Sequence, residues 1–198
     1  MPDTGAPHFI PFLDGTELVR AYPDFSEDLA NAVADGLNAA PVVKRVLSVR
    51  KTDTFSSSES DWVTIPGLEI TVTPLSEDSR FWIFFSALVA NVGSADADQA
   101  LLNLFRGSTE LANPDNPGIR LSSLGGNNLR GAPKPERKMF PFSGHIVDEP
   151  NTTSSVTYSL RLYSQDPATS HVNRSSDNTD TISRGRGIST FTVVELGA

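Results

Sequence analysis

The apolar positions of this chain follow three different rhythms. From Arg80 to Val92 they are almost continuous: Phe81, Trp82, Ile83, Phe84, Phe85, Ala87, Leu88, Val89, Ala90 and Val92 are interrupted only by Ser86 and Asn91, and Gly93-Ser94 follows as a turn. Length alone allows a strand or a buried helix, but successive aromatic and β-branched residues would crowd a helix and suit a pleated sheet. The run is read as a central β-strand buried on both faces, with the rest of the chain built around it.

A second rhythm has period two. Leu68, Ile70 and Val72 alternate with Glu69, Thr71 and Thr73, and Val156, Tyr158, Leu160 and Leu162 share one side of their segment. Such alternation marks strands with one wet face. Further strands are predicted over Val42–Arg50, Trp62–Ile65, Gln99–Arg106, Lys138–Val147 and Gly187–Glu195, with Pro66-Gly67 as a type II turn or bulge between two strand pieces. Asn113–Pro135 is the longest weakly patterned stretch and reads as a functional or covering loop. About eight strands separated by Gly-, Pro-, Ser- and Thr-rich turns predict a mainly β domain at residues 42–198, a jelly-roll-like antiparallel β-sandwich.

The third rhythm is helical. Phe25, Leu29, Val33 and Leu37 recur every four residues within Asp24–Ala40, Asp24 with Glu27 resembles a capping box, and Pro41 ends the run. This predicts one short α-helix with a narrow apolar stripe, fit to pack on its own sandwich or around a symmetry axis with copies of itself. Upstream, Pro2, Pro7, Pro11 and Pro23 favour an extended arm. Its apolar residues, Phe9, Phe12, Leu18 and Tyr22 among them, need cover. Two destinations stay open, the chain's own β-domain or a partner surface. Arm and helix form a separate region, 1–41, and Phe9, Phe12, Leu18, Tyr22, Phe25, Leu29, Val33 and Leu37 are its candidate oligomer or virion contacts.

Composition then narrows the function classes. A formal net charge of −8 argues against a phosphate-binding surface, so no nucleic-acid partner is expected. No apolar run approaches the roughly 20 residues of a membrane span, and the N-terminus lacks the basic and apolar regions of a secretory signal, which places assembly in the cytoplasm. The absence of cysteine removes disulfides and thiolate sites. His8, His145 and His171 lack metal-ligand spacing, no serine lies in a Gly-x-Ser-x-Gly elbow, and Gly125-Gly126 lacks the Lys-Ser/Thr of a phosphate loop. No catalytic residue, metal or cofactor is predicted, and the protein is read as non-enzymatic. Trp62, with Tyr158 and Tyr163, could stack on a sugar, although core packing is favoured for these rings. Arg184 and Arg186 lie in a basic Arg-Gly-Arg-Gly run within an acidic chain, either as a solvated turn or as a contact to acidic groups on a neighbour.

Three stretches carry a resemblance. Phe9-Ile10-Pro11-Phe12-Leu13-Asp14-Gly15-Thr16-Glu17-Leu18-Val19-Arg20-Ala21-Tyr22-Pro23 running into Ser26–Leu37 resembles the opening of many small tail or tail-fibre proteins of tailed bacteriophages. Thr52–Ser56 with Ile65–Pro74 is similar to the start of phage virion β-domains. Val172-Asn173-Arg174-Ser175-Ser176-Asp177-Asn178-Thr179-Asp180-Thr181 through Arg184–Leu196 is similar to their closing motif. The resemblance implies a structural role in the virion: an arm and helix that attach to other phage virion proteins, and a β-domain, commonly a homotrimer, that projects, with a host-surface glycan as a candidate contact. It brings no catalytic residues. A tail appendage is the first expectation; a capsid decoration or head-fibre protein and a stand-alone carbohydrate-binding module are the alternatives.

Overall fold

The structure is a computed structural model that describes residues 28–33, 43–92, 99–115, 118–127, 134–165 and 168–197. By its contacts the chain divides into two units, Met1–Val42 and Val43–Ala198. In the first, residues 28–33 are helical, and Leu29 and Val33 are 56% and 53% exposed. Phe9, Phe12, Leu18, Tyr22, Phe25 and Leu37 lie outside the described residues.

The second unit is a β-sandwich. Its strands are, in chain order, β1 (Val43–Lys51), β2 (Phe55–Ser57), β3 (Val63–Val72), β4 (Arg80–Val92), β5 (Ala100–Arg106), β6 (Thr109–Glu110), β7 (Gly125–Asn127), β8 (Phe140–Asp148), β9 (Val156–Ser164), β10 (Thr169–Val172) and β11 (Ser189–Leu196). The larger sheet has the order β1-β11-β4-β10-β2 with β8 also on β4, and the smaller has β3-β9-β5-β6 with β7 also on β5. Every pairing is antiparallel. From β3 onward the chain crosses repeatedly between the sheets, the connectivity of a jelly roll.

β4 is long enough to serve several partners. One edge pairs with β8 over Phe81–Val89; the other pairs with β11 over Arg80–Ser86 and then with β10 over Val89–Val92. Its inward residues Phe81, Ile83, Phe85, Ala87 and Val89 are buried against Leu68, Ile70 and Val72 of β3, Leu102 and Leu104 of β5, Tyr158, Leu160 and Leu162 of β9, and Phe191 and Val193 of β11. This is the hydrophobic core, and removal of its side chains from water drives the two sheets together.

The structure corrects one expectation here. β4 is not buried on both faces: Trp82 is 40% exposed, Ser86 is exposed, and Phe84 and Leu88 are half-buried. An antiparallel sandwich covers only one side of each sheet, so alternate side chains of even an apolar strand point outward. The irregularity expected at Pro66-Gly67 is present as a register shift between Thr64 and Glu69, and Gly67 takes φ 83°, a value open to glycine at no steric cost.

Candidate functional site

Antiparallel register places directly opposed residues on the same side of a sheet. Val46 of β1 opposes Val194 of β11, Val194 opposes Trp82 of β4, and Trp82 opposes Val147 of β8. Four strands therefore contribute one continuous apolar row to the outer side of the larger sheet. Val194 is covered by its neighbours, whereas Val46 is 58% and Val147 44% exposed. The row next to it is Ser48, Thr192, Phe84 and His145. The Trp82 ring meets Phe84 edge-on at 4.8 Å and stands 6.1 Å from the His145 ring. The second row is polar at its β1 and β11 end, with Ser48 Oγ and Thr192 Oγ1 2.8 Å apart, and Arg80 Nε donates to Glu149 at 2.8 Å on the rim. An apolar centre with an aromatic anchor and a polar, charged rim has the chemistry of a protein–protein contact.

Followed past Leu88, the same side of the sheet closes over. Ala90 and its β10 partner His171 are both buried. Arg174 donates to His171 Nδ1 at 2.8 Å and to Ser56 Oγ at 3.1 Å, while Ser56 Oγ stands 2.8 Å from the same Nδ1. Since arginine only donates, Nδ1 is the acceptor and the neutral ring carries its proton on Nε2. Burial, reinforced by the Arg174 charge, lowers the pKa of His171 to about 4.

Beside this cluster Asn173, just past the end of β10, ties together β1, β4 and β11. It is fully buried at φ 62°; its Nδ2 donates to the carbonyls of Lys51 and Asp53 at 3.0 Å each, and its Oδ1 accepts from Ser189 Oγ at 2.7 Å. Its backbone N–H donates to Leu88 O at 2.9 Å, and its carbonyl accepts from Gly187 at 3.0 Å. Asparagine tolerates this left-handed backbone, and its amide answers donors and acceptors at once. A Cβ at Gly187 would lie 2.2 Å from Leu88 Cδ1, so Leu88 would have to shift to admit a side chain there.

The residues singled out from the sequence are scattered over this framework. Trp62 is half-buried, its ring 5.7 Å from both Phe105 and Tyr163, and its Nε1 is enclosed without a hydrogen-bond partner. Tyr158 is fully buried, packs on Phe81 and donates to Asp148 Oδ2 at 2.7 Å; Asp148 also accepts from Arg106 at 2.8 and 2.9 Å. This clamp joins β8 of one sheet to β5 and β9 of the other. Tyr163 is half-buried and lines a cleft of about 500 Å³ with Gln99, Leu101, Arg120, Ser123 and Gln165. Arg184 is ion-paired with Asp177, which holds that carboxyl well below the usual carboxylate range. Arg186 is exposed and forms an antiparallel bridge with Arg174.

The outer row was not identified in advance. Its signal lay in the even-numbered apolar residues of β4, but its other members become neighbours only once the register is known. No group of three or more acidic or histidine side chains placed to hold a metal ion occurs among the described residues. No family model matches the chain, and no curated protein matches it.

Proposed function

We propose that the protein is a non-enzymatic structural subunit of a tailed-bacteriophage virion: a tail appendage, assembled in the host cytoplasm as a homotrimer, in which the N-terminal arm and helix attach to other virion proteins and the β-sandwich projects. The observation that carries this reading is the open apolar row Val46-Val194-Trp82-Val147. Among the described residues nothing covers it, and closed symmetry is the usual means of covering such a face. The resemblance of the arm, of the first strands and of the Val172–Leu196 motif to phage tail proteins supplies the setting. Arg50 of β1, which opposes Thr190 on the same side of the sheet, adds positive charge at this face in a chain of net charge −8, so the remaining surface of a second copy is electrostatically suited to approach it.

Mass spectrometry of purified particles tests the setting, and absence of the protein from them overturns it. Light scattering of the isolated protein tests the trimer, and a mass of one subunit rejects it. A map of the particle locates the protein, and density on the capsid would make it a decoration or head-fibre protein instead. The cleft beside Tyr163 supports a second reading, contact with a host-surface glycan. An aromatic ring next to the amides of Gln99 and Gln165 offers stacking and hydrogen bonds to a saccharide. A glycan array checks this, and loss of any signal in Tyr163→Ala identifies the cleft.

A further inference from the structure

Alongside the first half of β4 the larger sheet runs in the order β1-β11-β4-β8, so β1 and β8 are its margins there. Each is nine residues long, and neither has a strand on its other side among the described residues. The remaining margins are blunt: β2 has three residues, β6 two and β7 three, and β3 is broken by its register shift around Gly67. A long margin presents a row of unpaired backbone donors and acceptors, which is a template for another strand. Pro141 stands at the start of β8 and the register shift of β1 lies before Val46, so residues 46–51 and 142–147 are regular.

The two long margins match each other. β1 is antiparallel to β11, β11 to β4 and β8 to β4, so β1 and β8 run in opposite directions. A β8 laid against the β1 of a second copy therefore continues the antiparallel alternation without a break. Keeping the outer apolar rows in line fixes the register. Val46 and Val147 end the same row, and setting them opposite each other places Leu47 against Ile146 and Arg45 against Asp148. Each pair agrees in character. Val46 and Val147 are exposed, while Leu47 and Ile146 are half-buried at the border of the core. Arg45 already carries Glu195 and Asp148 carries Arg106, so the junction lines up charges of alternating sign. Two β1 strands set together lack this fit, because Lys44, Arg45, Arg50 and Lys51 crowd one short strand with positive charge.

We propose that β1 of one subunit pairs with β8 of the next, joining the larger sheets edge to edge and carrying the row Val46-Val194-Trp82-Val147 from subunit to subunit. The contact is head-to-tail and closes as a ring in a symmetric oligomer. It rests on the homo-oligomer proposed above and specifies its junction. In this register the exposed Ser48 faces His145 of the partner subunit, also an exposed position. Opposed Cα atoms of an antiparallel pair lie about 4.5–5.5 Å apart, within disulfide reach, and the chain has no cysteine of its own. Ser48→Cys and His145→Cys are therefore placed in separate chains, co-expressed and oxidised. Non-reducing electrophoresis should show a covalent pair at least tenfold more abundant than with either variant alone. With both substitutions in one chain, the covalent species should reach the full mass that light scattering gives for the wild type. No covalent pair from the co-expressed variants, or as much from one variant alone, while light scattering still reports an oligomer, overturns the junction and leaves the oligomer standing. A single-subunit mass overturns the oligomer and the junction with it.

Discussion

The two sides of the larger sheet are built from the same strands and nearly the same residue types, yet they have different fates. On the inner side Phe81, Ile83, Phe85, Phe191 and Val193 are buried against the smaller sheet. On the outer side Val46, Trp82 and Val147 meet solvent. Hydrophobicity of a strand therefore reports how many of its faces end up covered only after both intramolecular and intermolecular partners are counted. A strand apolar on both faces in an antiparallel sandwich keeps one apolar face that the described strands do not cover.

Substitutions on the two sides should separate folding from association. The largest effect belongs to the inner side: Phe191→Ala removes a fully buried ring and should cost about 3–5 kcal/mol, read as a shifted midpoint in urea unfolding. Next comes the end of the same side, where buried Glu195 opposes Phe81 and accepts from Arg45 Nε at 3.0 Å and from the Leu75 amide at 2.7 Å. Burial works against its charge, but Leu75, Ser79 and Arg45 together outweigh it and hold the carboxyl below its ordinary value. The folded state thus binds that proton less readily than the unfolded one. The resulting stability is present above the ordinary glutamate pKa and is lost as pH falls through the lowered one. Glu195→Gln should cost about 2 kcal/mol at neutral pH and flatten the acid limb of the stability profile, which calorimetric melts across pH will show.

Trp82→Ser on the outer side should change the stability of the isolated subunit by only about 1 kcal/mol while reducing the oligomer to single subunits in analytical ultracentrifugation. An unaltered sedimentation coefficient would remove the outer row from the interface. A further effect concerns the closed end of that side. Because the pKa of His171 is lowered to about 4, the unfolded chain binds its proton first as pH falls from about 6.5, and stability should decline gradually across that window. Replacing His171 by Gln should remove this gradual component without touching the steeper loss from carboxylates.

Much of the inner side was legible in the sequence. Alternation in Leu68-Ile70-Val72 and Tyr158-Leu160-Leu162 corresponds to the buried sides of β3 and β9, because a period of two is a property of the local backbone. The outer row was not legible, since Val46, Trp82, Val147 and Val194 are separated by tens of residues and meet through pairing alone. A register shift between Val43 and Arg45 further disturbs the alternation of β1 just before Val46. β10 was missed for a different reason. No strand was predicted at Ser170 and His171, which are polar but buried with polar partners, Ser170 Oγ accepting from Asn91 Nδ2 at 2.9 Å. Buried polar pairs carry no apolar signature.

The position of β11 between β1 and β4 has a consequence for biosynthesis. The strand made last fills the gap between two strands made early, so a nascent chain that stops short of Ser189 exposes facing edges of β1 and β4 with nothing to bridge them. Closing that gap brings together residues such as Val46 and Val194, and contacts so distant along the chain form slowly. Until then the open edges invite pairing with other nascent chains. The larger sheet is therefore complete only once Ser189–Leu196 has joined β1 to β4.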